Sequence, residues 1–256
     1  IVTMQALDWQ IIVCVILGAA AGGFVNGLAG FGTALMSLGI WLQAMPAQEA
    51  VPIVAAMSVI SGVQSLWLTR AGLSKGMKRL PRFLIPALLA MPAGTAILAW
   101  IDASAIKITI ACLMLLYGVF LLTRHTLPQI KREHPVCDVI VAAASGLLGG
   151  AASLSGVLPS MWAALQPWSK QETSAILRPF NVVILGLATA VYVWRGFFTL
   201  NTLVMMAIAI PATLIASQAG VAVYKRLSET AFKHVLLWLM IGGAASLILR
   251  ETFLAL

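Results

Sequence analysis

Charged residues are scarce in this chain, and acidic residues are scarcer than basic ones. Only 9% of the 256 residues are charged and 61% are hydrophobic, whereas about 25% of residues are charged in ordinary soluble domains. A soluble core cannot hide so much apolar surface, so the composition excludes a soluble globular protein and predicts an integral membrane protein. No Asp or Glu falls in the middle of an apolar run, which disfavours a Na⁺ or H⁺ site built on a buried carboxylate.

Cysteine and histidine are also rare, with three residues of each. The cysteines do not have the spacing of a metal site, and the histidines lie in or near polar segments, so we expect no metal and no cofactor. A membrane enzyme would need a cluster of His, Asp, Glu or Cys at the membrane face, and the sequence shows none, so we expect no enzymatic activity. The net charge of +8 suits loops that orient a membrane protein, and we expect no nucleic-acid partner.

Long apolar runs fill the sequence, and a helix needs about 20 residues to span a bilayer. We therefore predict an all-α membrane protein, a helical bundle with no separate soluble domain. Two of the runs hold 37 and 32 residues, and a straight helix of either length would far overshoot a ~30 Å hydrocarbon core. Each of these two either enters and returns as two short half-helices or crosses twice. The runs are 9–45, 49–69, 83–101, 105–123, 137–168, 172–194, 199–224 and 231–249.

The second half of the chain aligns with the first, at an offset of 123 residues that later becomes 126. Apolar residues match easily by chance, but charged residues at fixed offsets do not. We predict two transmembrane repeats, at 1–126 and 127–256, each with one broken helix pair followed by three spanning helices. The matching charged pairs are Glu49 and Glu172, Lys107 and Lys233, and Arg124 and Arg250.

An odd number of spans after each broken segment would invert the second repeat relative to the first. With segment 70–82 in the cytoplasm, the inverted arrangement places 12 basic residues inside and 3 outside, whereas single crossings give 10 against 5. Basic loops stay in the cytoplasm. We therefore expect inverted repeats in a bacterial-type inner membrane, with loops 70–82 and 124–138 on the cytoplasmic side.

The two overlong runs carry glycine-rich motifs at equivalent places, residues 22–33 and 145–156, with Pro159 just beyond. Duplicated, interrupted helices indicate the binding site of a transporter, because half-helix N-termini offer unpaired N–H groups and partial positive charge to an anion. The alternative is that these small residues only permit tight helix packing. The candidate substrate-binding residues in the motifs are Asn26, Gly30, Gly32, Thr33, Gly149, Gly150, Ser153 and Ser155.

Arg178 lies about six residues into the span that begins near residue 172. An arginine inside a membrane costs roughly 2.5–3.5 kcal/mol on insertion scales and indicates a function. Its planar fork suits the oxygens of a carboxylate, a sulfonate or sulfite. The alternatives are snorkelling to the interface or pairing with Glu172. Further candidates are Asn181, its repeat counterpart Ser58 and, as weaker ones, Gln64 and Gln218.

The sequence Asn-Gly-Leu-Ala-Gly-Phe-Gly at 26–32, echoed at 145–150 and followed by Pro159, resembles the TauE/SafE family of sulfite and organosulfonate exporters over essentially the whole chain. This resemblance implies an all-helical transporter of small anions, typically sulfite, sulfonates or related sulfur compounds and sometimes organic carboxylates. The chain departs from the family pattern at Ser153 and Ser155, where the family usually has glycines, and at Met36, near which proline is frequent.

The residues and the resemblance together predict a membrane transporter that alternates access around an anion site near the bilayer midplane, between the two broken segments. The alternatives are an anion channel with an open pore and a carrier of a small organic carboxylate. The expected partners are the small anion and membrane lipid, with a homodimer as one option for assembly.

Overall fold

The computed structural model describes residues 9–42, 44–70, 79–98 and 134–228, together with isolated positions between 108 and 119 and between 230 and 238. Every regular element in these ranges is an α-helix, which confirms the predicted all-α class. The helices are α1 (Trp9–Ala29), α2 (Thr33–Trp41), α3 (Ala47–Thr69), α4 (Leu80–Leu98), α5 (Pro135–Ala152), α6 (Val157–Leu165), α7 (Lys170–Trp194) and α8 (Leu200–Arg226).

Six of these helices are long and apolar enough to cross a membrane: α1, α3, α4, α5, α7 and α8. The spans predicted at 49–69, 83–101, 172–194 and 199–224 are therefore confirmed to within a few residues. Helices α2 and α6 have only nine residues each, about 14 Å at 1.5 Å per residue, which is less than half of a hydrocarbon core. The spans predicted at 105–123 and 231–249 lie outside the described stretches.

Each overlong run forms a hairpin of one long and one short helix. In the first, Trp41 Nε1 at the end of α2 donates to the carbonyls of Cys14 and Val15, and Ser37 Oγ donates to Gly18 O at 2.8 Å. Helix α2 therefore runs back along α1. Of the two expected arrangements, the pair of short half-helices is wrong, because α1 and α5 have 21 and 18 residues and each packs along a full-length neighbour.

Helices α1 and α8 pack closely and run in the same direction. Gly23 lies against Thr213, and Gly27 lies against Ser217, where a Cβ on Gly27 would stand 2.1 Å from the Ser217 carbonyl oxygen. A side chain larger than hydrogen cannot fit at that distance, so glycine permits the approach of the two backbones.

Helices α4 and α5 repeat this arrangement. Gly146 lies against Ala87, and a Cβ on Gly150 would stand 2.3 Å from the Met91 carbonyl oxygen. Gly146 and Gly150 are the residues that align with Gly23 and Gly27 at the offset of 123. The aligned glycines thus serve helix packing, the alternative to a direct site role.

Helix α3 runs alongside α8 in the same direction. Near the starts of the two helices, Asn201 Nδ2 donates to Glu49 Oε2 at 3.1 Å, and farther along Ser217 Oγ donates to Ser61 O at 3.5 Å. Helices α1, α3 and α8 therefore point one way through the bundle.

Helix α7 runs alongside α4. Trp168, just before α7, packs edge-on against Phe83 near the start of α4, and Arg195, just after α7, donates to Thr95 O near the end of α4 at 2.9 Å. Lys170 at the start of α7 donates to Leu227 O, just past the end of α8. Helices α4, α5 and α7 thus point opposite to α1, α3 and α8.

Candidate functional site

The two breaks in the hairpins meet inside the bundle. Phe31 in the first break is buried, and a Cβ on Gly156 in the second break would stand 2.2 Å from the Cβ of Phe31. The backbone is left-handed at Gly30 (φ 83°) and at Ser153 (φ 57°), which align at the offset of 123 residues. The first break turns through a second left-handed residue, Gly32 (φ 94°), and the two tips touch.

The short helices α2 and α6 begin at these breaks, and neither N-terminus has a side-chain cap. The first N–H groups of a helix have no acceptor within the helix, and the end carries partial positive charge. Helix α6 offers one donor fewer in its first turn, because Pro159 has no N–H. The breaks thus bring two positive helix ends to one place, and α2 supplies more donors.

Arg178 crosses the first break from α7 and is fully buried. Its Nε donates to Ser174 Oγ at 2.6 Å, and its Nη2 donates to the carbonyls of Gly27 and Leu28 at 2.9 and 3.2 Å. A Cβ on Gly30 would stand 2.4 Å from Arg178 Cγ. The side chain therefore lies across the last carbonyls of α1, at the negative end of that helix.

None of these partners is a carboxylate, and within the described residues Arg178 also contacts the ring of Tyr224, 4.9 Å from the guanidinium carbon. Complete burial excludes snorkelling. The Glu172 carboxylate instead accepts from Ser169, in the capping box that begins α7. A buried charge without a counter-charge is costly, and Nη1 of Arg178 has no hydrogen-bond partner within the described part of the chain.

Two more side chains at the first break have a buried atom without a partner. Asn26 is fully buried, and its Nδ2 donates to Ser58 O at 3.1 Å and to Ser61 Oγ at 2.6 Å, but its Oδ1 has no partner among the described residues. The same holds for Oγ1 of Thr33, the first residue of α2. Buried polar groups are normally paired, so three such atoms at one break indicate a place for a polar ligand.

The polar side chains of the second break are paired with the protein. Ser153 Oγ donates to Val51 O at 3.1 Å, and Ser155 Oγ donates to Asn181 Oδ1 at 2.6 Å. The hydroxyl of Tyr192 donates to the carbonyl of Gly150. This break is closed by its own hydrogen bonds.

The structure thus divides the predicted residues between the two breaks. The first group consists of Asn26, Gly30, Gly32, Thr33, Ser58 and Arg178, and the second of Gly149, Gly150, Ser153, Ser155 and Asn181. Ser58 contributes its backbone carbonyl. Gln64 has an unpartnered buried Oε1 on α3 within the described chain, whereas Gln218 is exposed.

Sequence reasoning missed three contributors. Ser174 lies one helical turn before Arg178, and its Oγ accepts from Arg178 Nε. This contact could have been predicted, because residues four apart on a helix are neighbours. Ser61 and Tyr224 reach the site from distant parts of the chain, and a single sequence carries no signal of such contacts.

Comparison with known proteins gives one match. The model of the family described as sulfite exporter TauE/SafE matches residues 14–247. No curated protein and no solved structure matches the chain. Because the match covers nearly the whole sequence and the helices form a multi-pass membrane bundle, this chain belongs to the TauE/SafE family of membrane transporters.

Proposed function

We propose that the protein carries small anions across the membrane, with sulfite, sulfonates and related sulfur oxyanions as the substrate class. The observation that carries this proposal is Arg178, which is fully buried, has no carboxylate partner and has an unpartnered Nη1 among the described residues. An anion that accepts from Nη1 supplies the missing counter-charge and removes the cost of the unpaired donor.

The anion binds at the first break, against the start of α2. Arg178 balances its charge, while the first N–H groups of α2 and the hydroxyl of Thr33 donate to its oxygens. The serines of the second break and Asn181 are hydrogen-bonded within the protein. They reach the anion when their internal hydrogen bonds exchange during transport.

Alternating access in this proposal uses two inverted repeats, 1–126 and 127–256. Support comes from the helix directions, since α1, α3 and α8 of the bundle oppose α4, α5 and α7. Equivalent helices of the two halves, α1 and α5, α3 and α7, α4 and α8, therefore run oppositely. Two halves with this relation can exchange conformations around a site between their broken helices.

The orientation in a bacterial-type inner membrane follows from charge. The ends of α3 and α8 and the starts of α4 and α7 lie at one end of the bundle, and this end carries most of the basic residues of the described chain. Basic ends face the cytoplasm, which agrees with cytoplasmic loops at 70–82 and 124–138. The basic residues at this end are Arg70, Arg79, Arg82, Lys170, Lys225 and Arg226, against Arg195 at the other.

Counterflow in proteoliposomes tests the proposal. Vesicles loaded with an unlabelled sulfonate or sulfite should accumulate the labelled anion transiently, with a saturable initial rate. An open channel would give flux without counterflow. If acetate or another small carboxylate drives exchange better than every sulfur oxyanion, the substrate class is wrong. If no anion exchanges in vesicles that retain folded protein, the proposed function is wrong.

A further inference from the structure

The amide of Asn26 has only one orientation that satisfies its neighbours. The Ser58 carbonyl can only accept, and it lies 3.1 Å from one amide atom. The Ser61 hydroxyl gives its proton to Met57 O at 2.7 Å, so toward Asn26 it too acts as an acceptor, at 2.6 Å. Both contacts therefore require the NH₂ group of Asn26, and the amide oxygen must point elsewhere.

That oxygen can only accept a hydrogen bond, and none of the described residues donates to it. A simple anion cannot fill this position, because its oxygens are acceptors as well. The free donors of the site, Arg178 Nη1 and the start of α2, serve the charged end of the substrate. Asn26 Oδ1 would be satisfied by a hydrogen-bond donor carried by the same ligand.

Asn26 lies close enough to Arg178 for one small molecule to reach both. Arg178 donates to the carbonyl of Gly27, the residue after Asn26. Gly62 on α3 lies between Asn26 and α7, since a Cβ built on Gly62 would stand 2.5 Å from Val182 Cγ2 and 3.9 Å from Asn26 Nδ2. Val182 is one helical turn beyond Arg178 on α7, and residues four apart on a helix are about 6 Å apart. Asn26 and Arg178 therefore lie within about one helical turn of each other along α7.

A metal cation or an ammonium group could also approach an amide oxygen, but the charges here oppose it. The guanidinium of Arg178 and the positive end of α2 both lie at this break. The partners of Arg178 in the described chain include no carboxylate to offset them. An uncharged O–H group is the donor that fits.

We infer that the substrate is an anion that carries its own hydroxyl apart from its charged group, such as a hydroxyalkanesulfonate, with the hydroxyl donating to Asn26 Oδ1. This inference rests on the proposed anion site at Arg178. In this inference Asn26 selects among anions by their hydroxyl group, while Arg178 donates to the charged group of any of them.

Three sulfonates of matched size test the inference by titration calorimetry on purified full-length protein. Isethionate has a hydroxyl where propane-1-sulfonate has a methyl group and taurine has an ammonium group. The wild type should bind isethionate about tenfold or more tightly than propane-1-sulfonate, because the latter leaves a buried acceptor unpaired. Taurine should bind more weakly than isethionate.

In Asn26→Leu the preference for isethionate over propane-1-sulfonate should fall to about onefold, while Asn201→Leu, the same change at the exposed start of α8, keeps the wild-type ratio. Equal wild-type binding of the two ligands overturns the inference even if Asn26→Leu does not fold, and so does tighter binding of taurine. If the sulfonates bind equally and Arg178→Met abolishes binding, only the inference fails. If none binds to folded protein, the anion site itself fails.

Discussion

The two helix breaks are similar in layout but differ in chemistry, and the first has a second left-handed residue, Gly32. Both follow a long helix, both turn through a left-handed residue at equivalent positions, and both start a nine-residue helix. Yet the first break holds Arg178 and three unpartnered buried atoms in the described chain, while the serines of the second are bonded to Val51 and Asn181. The two breaks therefore share a layout, but only the first holds a buried charge.

The difference follows from individual positions. At the offset of 123 residues, Arg178 aligns with Ala55 and Asn26 aligns with Gly149. Gly32 aligns with Ser155, whose hydroxyl closes the second break onto Asn181. In the proposed function, the first break holds the ligand and the second supports it.

The largest expected effect is on Arg178. Arg178→Met should lower the rate of sulfonate counterflow about 100-fold or more, because the bound anion loses its counter-charge in a buried site. Arg195→Met is the matched control, since Arg195 also donates to a helix carbonyl but is exposed, and its rate should stay near that of the wild type. Equal loss in both variants would show that Arg178 has no special role in binding the anion.

A serine at position 30 should be far less tolerated than the serine at position 153. Gly30→Ser would place a Cβ 2.4 Å from Arg178 Cγ at a left-handed φ, and overpacking costs about 1–3 kcal/mol. The midpoint of thermal unfolding should fall accordingly. Gly186→Ala, where a Cβ meets nothing within 4 Å, should instead stabilise α7 by up to about 1 kcal/mol. If Gly30→Ser does not lower the unfolding midpoint relative to Gly186→Ala, then Gly30 is not tightly packed.

Removing one hydroxyl from each break should give opposite results. Thr33→Val should weaken sulfonate binding about three- to tenfold without loss of stability, because its Oγ1 has no described protein partner. Ser155→Ala should lower stability by about 1 kcal/mol, since Asn181 Oδ1 loses its donor, and should affect binding less. Calorimetric titration and thermal unfolding of both variants check this; the reverse pattern would place the ligand at the second break.

The smallest effect is expected for Ser153→Gly. Glycine removes the strain of a left-handed serine, roughly 1–2 kcal/mol, but the hydrogen bond to Val51 O is lost, at about 0.5–1.5 kcal/mol. The two terms nearly cancel, so the unfolding midpoint and the counterflow rate should both stay close to wild type. A large loss of transport would show that the Ser153 hydroxyl contacts the substrate.

The helices and their breaks could be predicted because hydrophobicity and glycine act locally. A 37-residue apolar run cannot be one straight span, and Gly30 and Gly32 indicate where the chain turns. The burial of Arg178 without a carboxylate was predictable in part, since only Glu172 was near it in sequence and six residues is a poor helical spacing.

The packing partners could not be predicted from one sequence. Gly150 was a candidate site glycine in the motif, and only the contact with Met91 shows that it faces a neighbouring helix. The pairing of Ser155 with Asn181 depends in the same way on how α7 lies against the second break. These are long-range relations, which local patterns do not encode.

The central claim is that the anion binds at the first break, and a structure of the protein saturated with isethionate tests it most directly. The account predicts density for one sulfonate per chain, with an oxygen about 3 Å from Arg178 Nη1 and the hydroxyl directed at Asn26 Oδ1. Density at Ser155 and Asn181 instead, or equal density at both breaks, would contradict it.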